Sequence, residues 1–403
     1  MQRSEEQTTL GVTFNKIWSA AMFSKFADGL FGAAIPLLAA SLTRDPVLIA
    51  IQANLFLLPW LLFAIPIGAL VDRLNRRAAM LMVQTSRVLI GAALAWLIVS
   101  GQMSLGWLAT LTFIFGISEV VYDTATQSTI PSLLPEKQLE KGNSRLQIAD
   151  TVMQGFVGVP LGGFIFATAA FIPFLGVSAC YLIAVFLVLS IARDALQSKQ
   201  EIKSTERPKL SHEIREGLVY LWTHKVLFRL VLTTGLIGFC YAMGSATQVL
   251  FILDYLKVPE SNYGWVLVPL GVGALIGAVT TSRFSSLVGR SKALAITLPA
   301  SSFTLLAGGL SPNVYWFMVV CLLQGLFMAY WNILLMSTYH TMIPNEIFGR
   351  IHGARRTIVW GLMPIGGLIG GLLAKINLTV PIITGGVIAT LFALSAYRFI
   401  RSI

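Results

Sequence analysis

Six ionisable residues interrupt otherwise apolar stretches in the first half of the chain: Lys25 and Asp28, then Arg87, Glu119, Asp123 and Asp150. A carboxylate beside an ammonium or guanidinium can hold a charge pair. It can also take up or release a proton when a conformational change alters its pairing or its access to water. Lys25 and Asp28 are three apart and Glu119 and Asp123 four apart, so each pair shares one face of a helix. Counting about 1.5 Å per residue along the runs puts Asp28 and Arg87 near mid-depth, with Lys25 one turn nearer the end. Lys25, Asp28, Arg87 and Glu119 are therefore the candidates for proton handling. Glu119 is the freer carboxyl, whereas Lys25 can hold Asp28 ionised. A static network that only ties two helices together fits the same residues, and spacing alone leaves both readings open.

The elements that carry these residues are long apolar runs. The chain has 403 residues, 56% hydrophobic and 12% charged, with a mean hydropathy of +0.76. Soluble domains carry roughly twice that share of charge, so the composition is that of an integral membrane protein. Crossing a hydrocarbon core takes about 20 helical residues. About twelve runs qualify: 15–41, 47–71, 78–100, 105–128, 145–168, 170–193, 227–253, 262–284, 291–310, 313–339, 351–375 and 379–400. An ionisable residue inside such a run costs about 2.5–3.5 kcal/mol on insertion scales unless it faces partners or water. That cost makes the six residues above the sharpest functional signal.

The loops set the orientation. Alternate links carry Arg73, Arg76 and Arg77, then Lys137, Lys141 and Arg145, then residues 194–225, then Arg283, Arg290 and Lys292, then Arg350, Arg355 and Arg356. The opposite links hold only Arg44, Lys257 and Lys375. This asymmetry predicts both termini in the cytoplasm of a multi-pass protein of the inner (plasma) membrane. The net charge of +11 is spread as one short cluster per loop, which excludes a nucleic-acid partner. The polar start, with Glu5 and Glu6, does not resemble a cleaved signal peptide.

Residues 194–225 form the longest polar link and divide the chain into 1–193 and 226–403. Within it, Leu210, Ile214, Leu218 and Leu221 share a helical face, the pattern of an amphipathic helix on the inner membrane surface. The pairs Gly29/Gly238, Gly68/Gly277, Pro135/Pro344, Gly158/Gly367 and Gly162/Gly371 share one spacing. Two halves of six helices with the same sense are parallel repeats, an arrangement that places a binding site near the midplane between halves.

The stretch Gly68-Ala-Leu-Val-Asp72-Arg73-Leu-Asn75-Arg76-Arg77 resembles the signature between helices 2 and 3 of the major facilitator superfamily. Asn75 replaces the usual glycine and is expected to supply a left-handed turn in its place. Residues 133–146 and 216–227 look like the drug:proton antiporter branch that includes macrolide efflux proteins and siderophore exporters. Helix 5 carries Gly158-Val-Pro160-Leu-Gly162-Gly163, similar to the antiporter signature of exporters but with its proline one place late. Ordinary small-residue helix packing explains the same pattern. The resemblance implies an all-α fold of twelve transmembrane helices in two six-helix bundles. It also implies a gate built from Gly68, Asp72, Arg73, Arg76 and Arg77 with Asp123 on helix 4, in which Asp72 faces the start of helix 11. Asp150, close to the cytoplasmic end, belongs with the gate or with solvent.

The second half offers amides and aromatics instead of mid-depth charge: Tyr241 and Gln248 on helix 7, and Gln324, Tyr330, Trp331 and Asn332 on helix 10. These are the candidates for a substrate cavity. Four scattered histidines and three isolated cysteines hold no metal-ligand spacing, and no nucleotide-binding loop is present. We therefore expect no enzyme activity and no cofactor, with a proton gradient as the energy source and a monomer exporting amphipathic small molecules such as drugs, macrolides or siderophores. A lysophospholipid or nutrient carrier, or a non-transporting sensor on the same scaffold, is the alternative.

Overall fold

The computed structural model describes residues 11–71, 75–133, 138, 142, 145–146, 149–191, 219–343 and 348–402. Among these, twelve long helical segments follow one another: α1 Val12–Leu42, α2 Pro46–Val71, α3 Arg76–Val99, α4 Leu105–Leu133, α5 Ala149–Gly158 continuing as Val159–Thr168, and α6 Ile172–Leu189. Then come α7 Lys225–Ser245, continued by Gln248–Leu250 and Phe251–Tyr255, α8 Tyr263–Val288, α9 Arg290–Gly309, α10 Val314–Met342, α11 Phe348–Ala374 and α12 Val380–Arg401. The described residues contain no strand. Among the described residues nine helices are long and apolar enough to cross a membrane, and Val152–Thr168 and Ile358–Ala374 are shorter apolar helices.

Several helices are inside-out by the standards of a soluble protein. On α3, Met82, Leu89 and Trp96 are exposed at heptad spacing while Gln84 and Arg87 are buried. On α9 and its C-cap, Ile296, Phe303 and Leu310 are exposed while Thr297, Ser301, Ser302 and Thr304 are buried. Such stripes suit hydrocarbon outside and polar contact between helices inside. Cys180, Cys240 and Cys321 are buried packing residues.

The chain forms two compact units, Met1–Ile35 with Leu62–Arg207, and Pro36–Leu61 with Pro208–Ile403. In the first, α3 packs along α4 and α6. The equivalent contacts recur in the second, where α9 packs along α10 and α12. Close crossings recur too. A Cβ on Gly29 of α1 would lie 2.5 Å from the Gln154 carbonyl oxygen of α5, and one on Gly238 of α7 would touch Met363 of α11 at 3.6 Å. Gln154 and Met363 are related by the same spacing as the two glycines.

Asn75 does not take a left-handed turn. Its backbone is extended (φ −62°, ψ 119°), and its side chain accepts from the N–H groups of Arg77 and Ala78 to cap α3. An asparagine here satisfies orphan donors at a helix start, which glycine cannot do. Asp72, Arg73 and most of the amphipathic stretch, residues 209–218, lie outside the described residues. So do the side chains of Arg76 and Asp150 and the surroundings of Gly68. The described end of the link begins a helix in which Leu221 is fully buried in the apolar core of the second unit.

Candidate functional site

The site is built on the first unit by four helices. α1 carries Lys25 and Asp28 one turn apart, α3 carries Arg87, α4 carries Ser118, Glu119 and Tyr122, and α6 carries Tyr181. Close approach of α5 to α1 steadies the frame. A Cβ on Gly158 would lie 2.7 Å from the Phe26 carbonyl and 2.8 Å from the Gly29 Cα, and one on Gly162 would lie 2.8 Å from the Leu30 carbonyl. Only glycine permits that distance. Pro160 and Gly163 are buried in the same segment. The wide helical turns of Ala149–Gly158 run directly into Pro160, which has no N–H to give the preceding turn.

Arg87 is fully buried and uses all three guanidinium nitrogens. Nε donates to Ser118 Oγ at 2.9 Å, Nη2 donates to Glu119 Oε2, and Nη1 lies 3.5 Å from Asp28 Oδ1 and 3.4 Å from the Tyr181 hydroxyl. The rings of Phe115, Tyr122 and Tyr181 surround its Cζ at 4.9, 5.1 and 5.2 Å, where aromatic faces favour a cation. Lys25 Nζ reaches Asp28 Oδ2 at 3.2 Å and Glu119 Oε1 at 3.6 Å. The Tyr181 hydroxyl donates to Asp28 Oδ1. Two cations and two carboxylates thus form a closed, charge-balanced ring, the condition under which ionised groups tolerate burial. Exposure grades across it: 20% for the Lys25 side chain, 15% for Glu119, 6% for Asp28 and none for Arg87.

This arrangement constrains proton chemistry. Each carboxylate oxygen has a cation or a hydroxyl within 3.6 Å, although Asp28 Oδ2 makes no hydrogen bond, so a proton added without rearrangement would leave the buried cations in excess. Uptake of a proton therefore goes together with movement of Lys25 or loosening of the ring. The sequence candidates Lys25, Asp28, Arg87 and Glu119 meet here. Ser118, Tyr122 and Tyr181 join them unannounced, since a tyrosine or serine in an apolar run looks like packing. Gln84 was the readable hint: a polar residue one turn before Arg87, it is fully buried and donates to Ser24 Oγ at 2.7 Å.

The other candidates are more dispersed. Asp123 lies one turn from Glu119, partly buried. Arg77 caps the end of α6, donating to the carbonyls of Leu189 at 2.7 Å and Val188 at 3.4 Å. Lys16 joins it at the Ser190 carbonyl, 2.8 Å away, and both cations suit a helix C-terminus. In the second unit the Tyr241 hydroxyl donates to the Ser301 carbonyl at 2.8 Å, and Gln324 is half-buried on α10. Tyr330 pairs with Thr280 at 2.8 Å and stacks on Phe284. Trp331 is buried in the apolar core instead, Asn332 is exposed, and Gln248 sits where α7 resumes after its break. At one end of this unit Arg44 pairs with Asp254 at 3.1 Å and Glu260 at 3.8 Å, and Asp45 with Lys375 at 3.6 Å. The three sparsely basic links predicted to share a side, those containing Arg44, Lys257 and Lys375, thus come together. Among the described residues no group of three or more His, Cys, Asp or Glu side chains is placed to hold a metal.

Comparison with known proteins agrees with this architecture. The sequence matches the Major Facilitator Superfamily profile over residues 17–365. It is 23% identical to macrolide efflux protein A of Streptococcus pyogenes over 379 residues, 92% of this chain and 91% of the relative. It is 24% identical to the multidrug efflux pump Tap of Mycolicibacterium fortuitum, covering 92% and 93%. Among solved structures, the nucleoside transporter NupG superposes with a TM-score of 0.70 at 12% identity, covering 98% of each chain. A bacterial homologue of the iron transporter ferroportin gives 0.69 at 17% identity over 96% and 98%. With its twelve helices and repeated contacts, the chain is a multi-pass membrane transporter of the major facilitator superfamily.

Proposed function

We propose that the protein exports amphipathic small molecules from the cytoplasm in exchange for inward-moving protons, by alternating access across the inner membrane. The observation that carries the reading is the charge-balanced ring of Lys25, Asp28, Arg87 and Glu119, in which one enclosed arginine serves two carboxylates. A ring that binds a proton only when it rearranges links protonation to conformation. The efflux relatives favour export, with macrolides as the first cargo to try. In this reading both termini are cytoplasmic, residues 194–225 link two six-helix halves, and the Gly68–Arg77 link with Asp123 gates the inner side. Tyr241, Gln324 and Tyr330 offer the cargo hydroxyl, amide and aromatic surface.

The experiment is accumulation of a macrolide by the purified protein in liposomes with a pH gradient imposed in either direction, against protein-free liposomes. Exchange predicts accumulation on the acidic side beyond the protein-free level. Glu119→Gln should abolish that excess while downhill macrolide movement persists. Movement that ignores the pH gradient would overturn proton coupling, and accumulation on the alkaline side would mark a proton symporter.

A further inference from the structure

The ring holds two carboxylates but they are not equivalent, and the difference comes from a residue outside the four charges. Asp28 faces three donors: Tyr181 and Arg87 at Oδ1, and Lys25 at Oδ2, where the ammonium pairs by charge at 3.2 Å without a hydrogen bond. Glu119 receives two, Arg87 at Oε2 and Lys25 at Oε1. Lys25 is the most exposed member and the one that can withdraw toward water. Once it leaves, Asp28 keeps a guanidinium and a phenol, whereas Glu119 keeps the guanidinium alone.

The Tyr181 hydroxyl is locked in its donor role. The side chain is fully buried, and the other neighbour of its oxygen is Arg87 Nη1, which only donates. The phenolic hydrogen therefore has Asp28 Oδ1 as its acceptor. Protonation of Asp28 at Oδ2 would turn Oδ1 from a carboxylate oxygen into a neutral carbonyl and weaken its charge-assisted bonds to the phenol and the guanidinium, so a donor fixed on Oδ1 favours the ionised form. The ring of Tyr181 is held by Phe115, with centroids 6.2 Å apart. The titratable and charged groups facing Asp28 are Lys25 from α1, Arg87 from α3, Glu119 and Tyr122 from α4 and Tyr181 from α6.

We propose that Tyr181 is a positioning residue that keeps Asp28 a permanent carboxylate and so leaves Glu119 to take up the exchanged proton. This rests on the proton-exchange reading above and goes further by naming the carrier and what selects it. Asp28 and Arg87 then form the fixed part of the ring, and Glu119 with Lys25 the part that opens.

The test needs no cargo. Infrared difference spectra of the purified protein, recorded from mildly acidic to mildly alkaline pH, report the carbonyl band of any carboxylic acid that gains a proton. The wild type should show a titrating carboxyl band that is lost in Glu119→Gln and kept in Asp28→Asn. Tyr181→Phe, which retains the ring, should add a second titrating band that disappears in Tyr181→Phe/Asp28→Asn. A thermal melt of Tyr181→Phe checks that it folds, and Tyr181→Met, which also has no hydrogen to donate, serves if it does not. In either variant, a spectrum identical to wild type overturns the role of Tyr181. A wild-type band that belongs to Asp28 does the same. Absence of any titrating band from the ring would instead refute the proton-exchange reading itself, which separates the two failures.

Discussion

Replacing Arg87 with methionine should be among the most damaging single changes in the first unit. The guanidinium is fully enclosed, contacts Ser118, Glu119, Asp28 and Tyr181, and is ringed by three aromatic faces. Its loss leaves Lys25 facing two buried carboxylates, a net negative charge where the ring was neutral. Removing one partner from a buried ion network costs about 3–5 kcal/mol, chiefly because the remaining charge is uncompensated. Methionine fills much of the same volume, so cavity formation adds little. Because the cost is electrostatic, it should be reduced by a second change. Arg87→Met/Glu119→Gln restores a neutral ring of Lys25 and Asp28 and should regain about 1–3 kcal/mol relative to the sum of the single variants. Equilibrium unfolding in detergent with increasing sodium dodecyl sulfate measures both. Arg87→Met within about 0.5 kcal/mol of wild type, or strictly additive single effects, would refute the reasoning.

Other expectations follow from particular contacts. Gly158→Leu forces α5 off α1 and should cost about 1–3 kcal/mol; Gly32→Ala, where an added Cβ meets nothing within 4 Å, should be neutral or stabilising by up to about 1 kcal/mol, both read by the same unfolding assay. The carboxyl of Asp45 is held below the usual range by the N–H of Val47 and then by Lys375. A lowered carboxyl favours the folded state above the ordinary aspartate range and loses that effect as pH falls through it. The melting-temperature difference between wild type and Asp45→Asn should therefore be present at neutral pH and vanish in acid. Tyr241→Phe removes a hydrogen bond to Ser301 and should cost about 0.5–1.5 kcal/mol. If Tyr241 also lines the cargo site, the variant changes the KM for the macrolide; a lowered melting temperature with unchanged KM assigns it to helix packing alone.

Most of the fold was legible because hydrocarbon imposes a length. Runs near 20 residues predict 47–71 and 78–100, and the helices occupy Pro46–Val71 and Arg76–Val99. Hydropathy does not report backbone pitch, so the wide turns before Pro160 and the break after Ser245 were invisible: the predicted runs 145–168 and 227–253 extend across both. The glycine spacing carried real geometry, since Gly29 and Gly238 each meet the equivalent turn of the partner helix. The site was legible in its charges, because burying Lys25, Asp28, Arg87 and Glu119 is expensive enough to demand mutual contact. Its asymmetry was not, because Tyr181 resembles any aromatic of a spanning helix until its hydroxyl is seen on Asp28. The helix 2–3 signature identified the family, yet Arg77 closes the end of α6, a backbone contact that no pattern of side-chain types announces.

In the proposed cycle cargo and protons move in opposite directions through one rearranging ring. This exchange is tested most directly by loading liposomes containing the purified protein with a pH-sensitive dye and adding macrolide outside without an imposed pH gradient. Macrolide entry should alkalinise the lumen faster with the wild type than with Glu119→Gln or without protein. Macrolide entry at the wild-type rate with no protein-dependent change in luminal pH would contradict it.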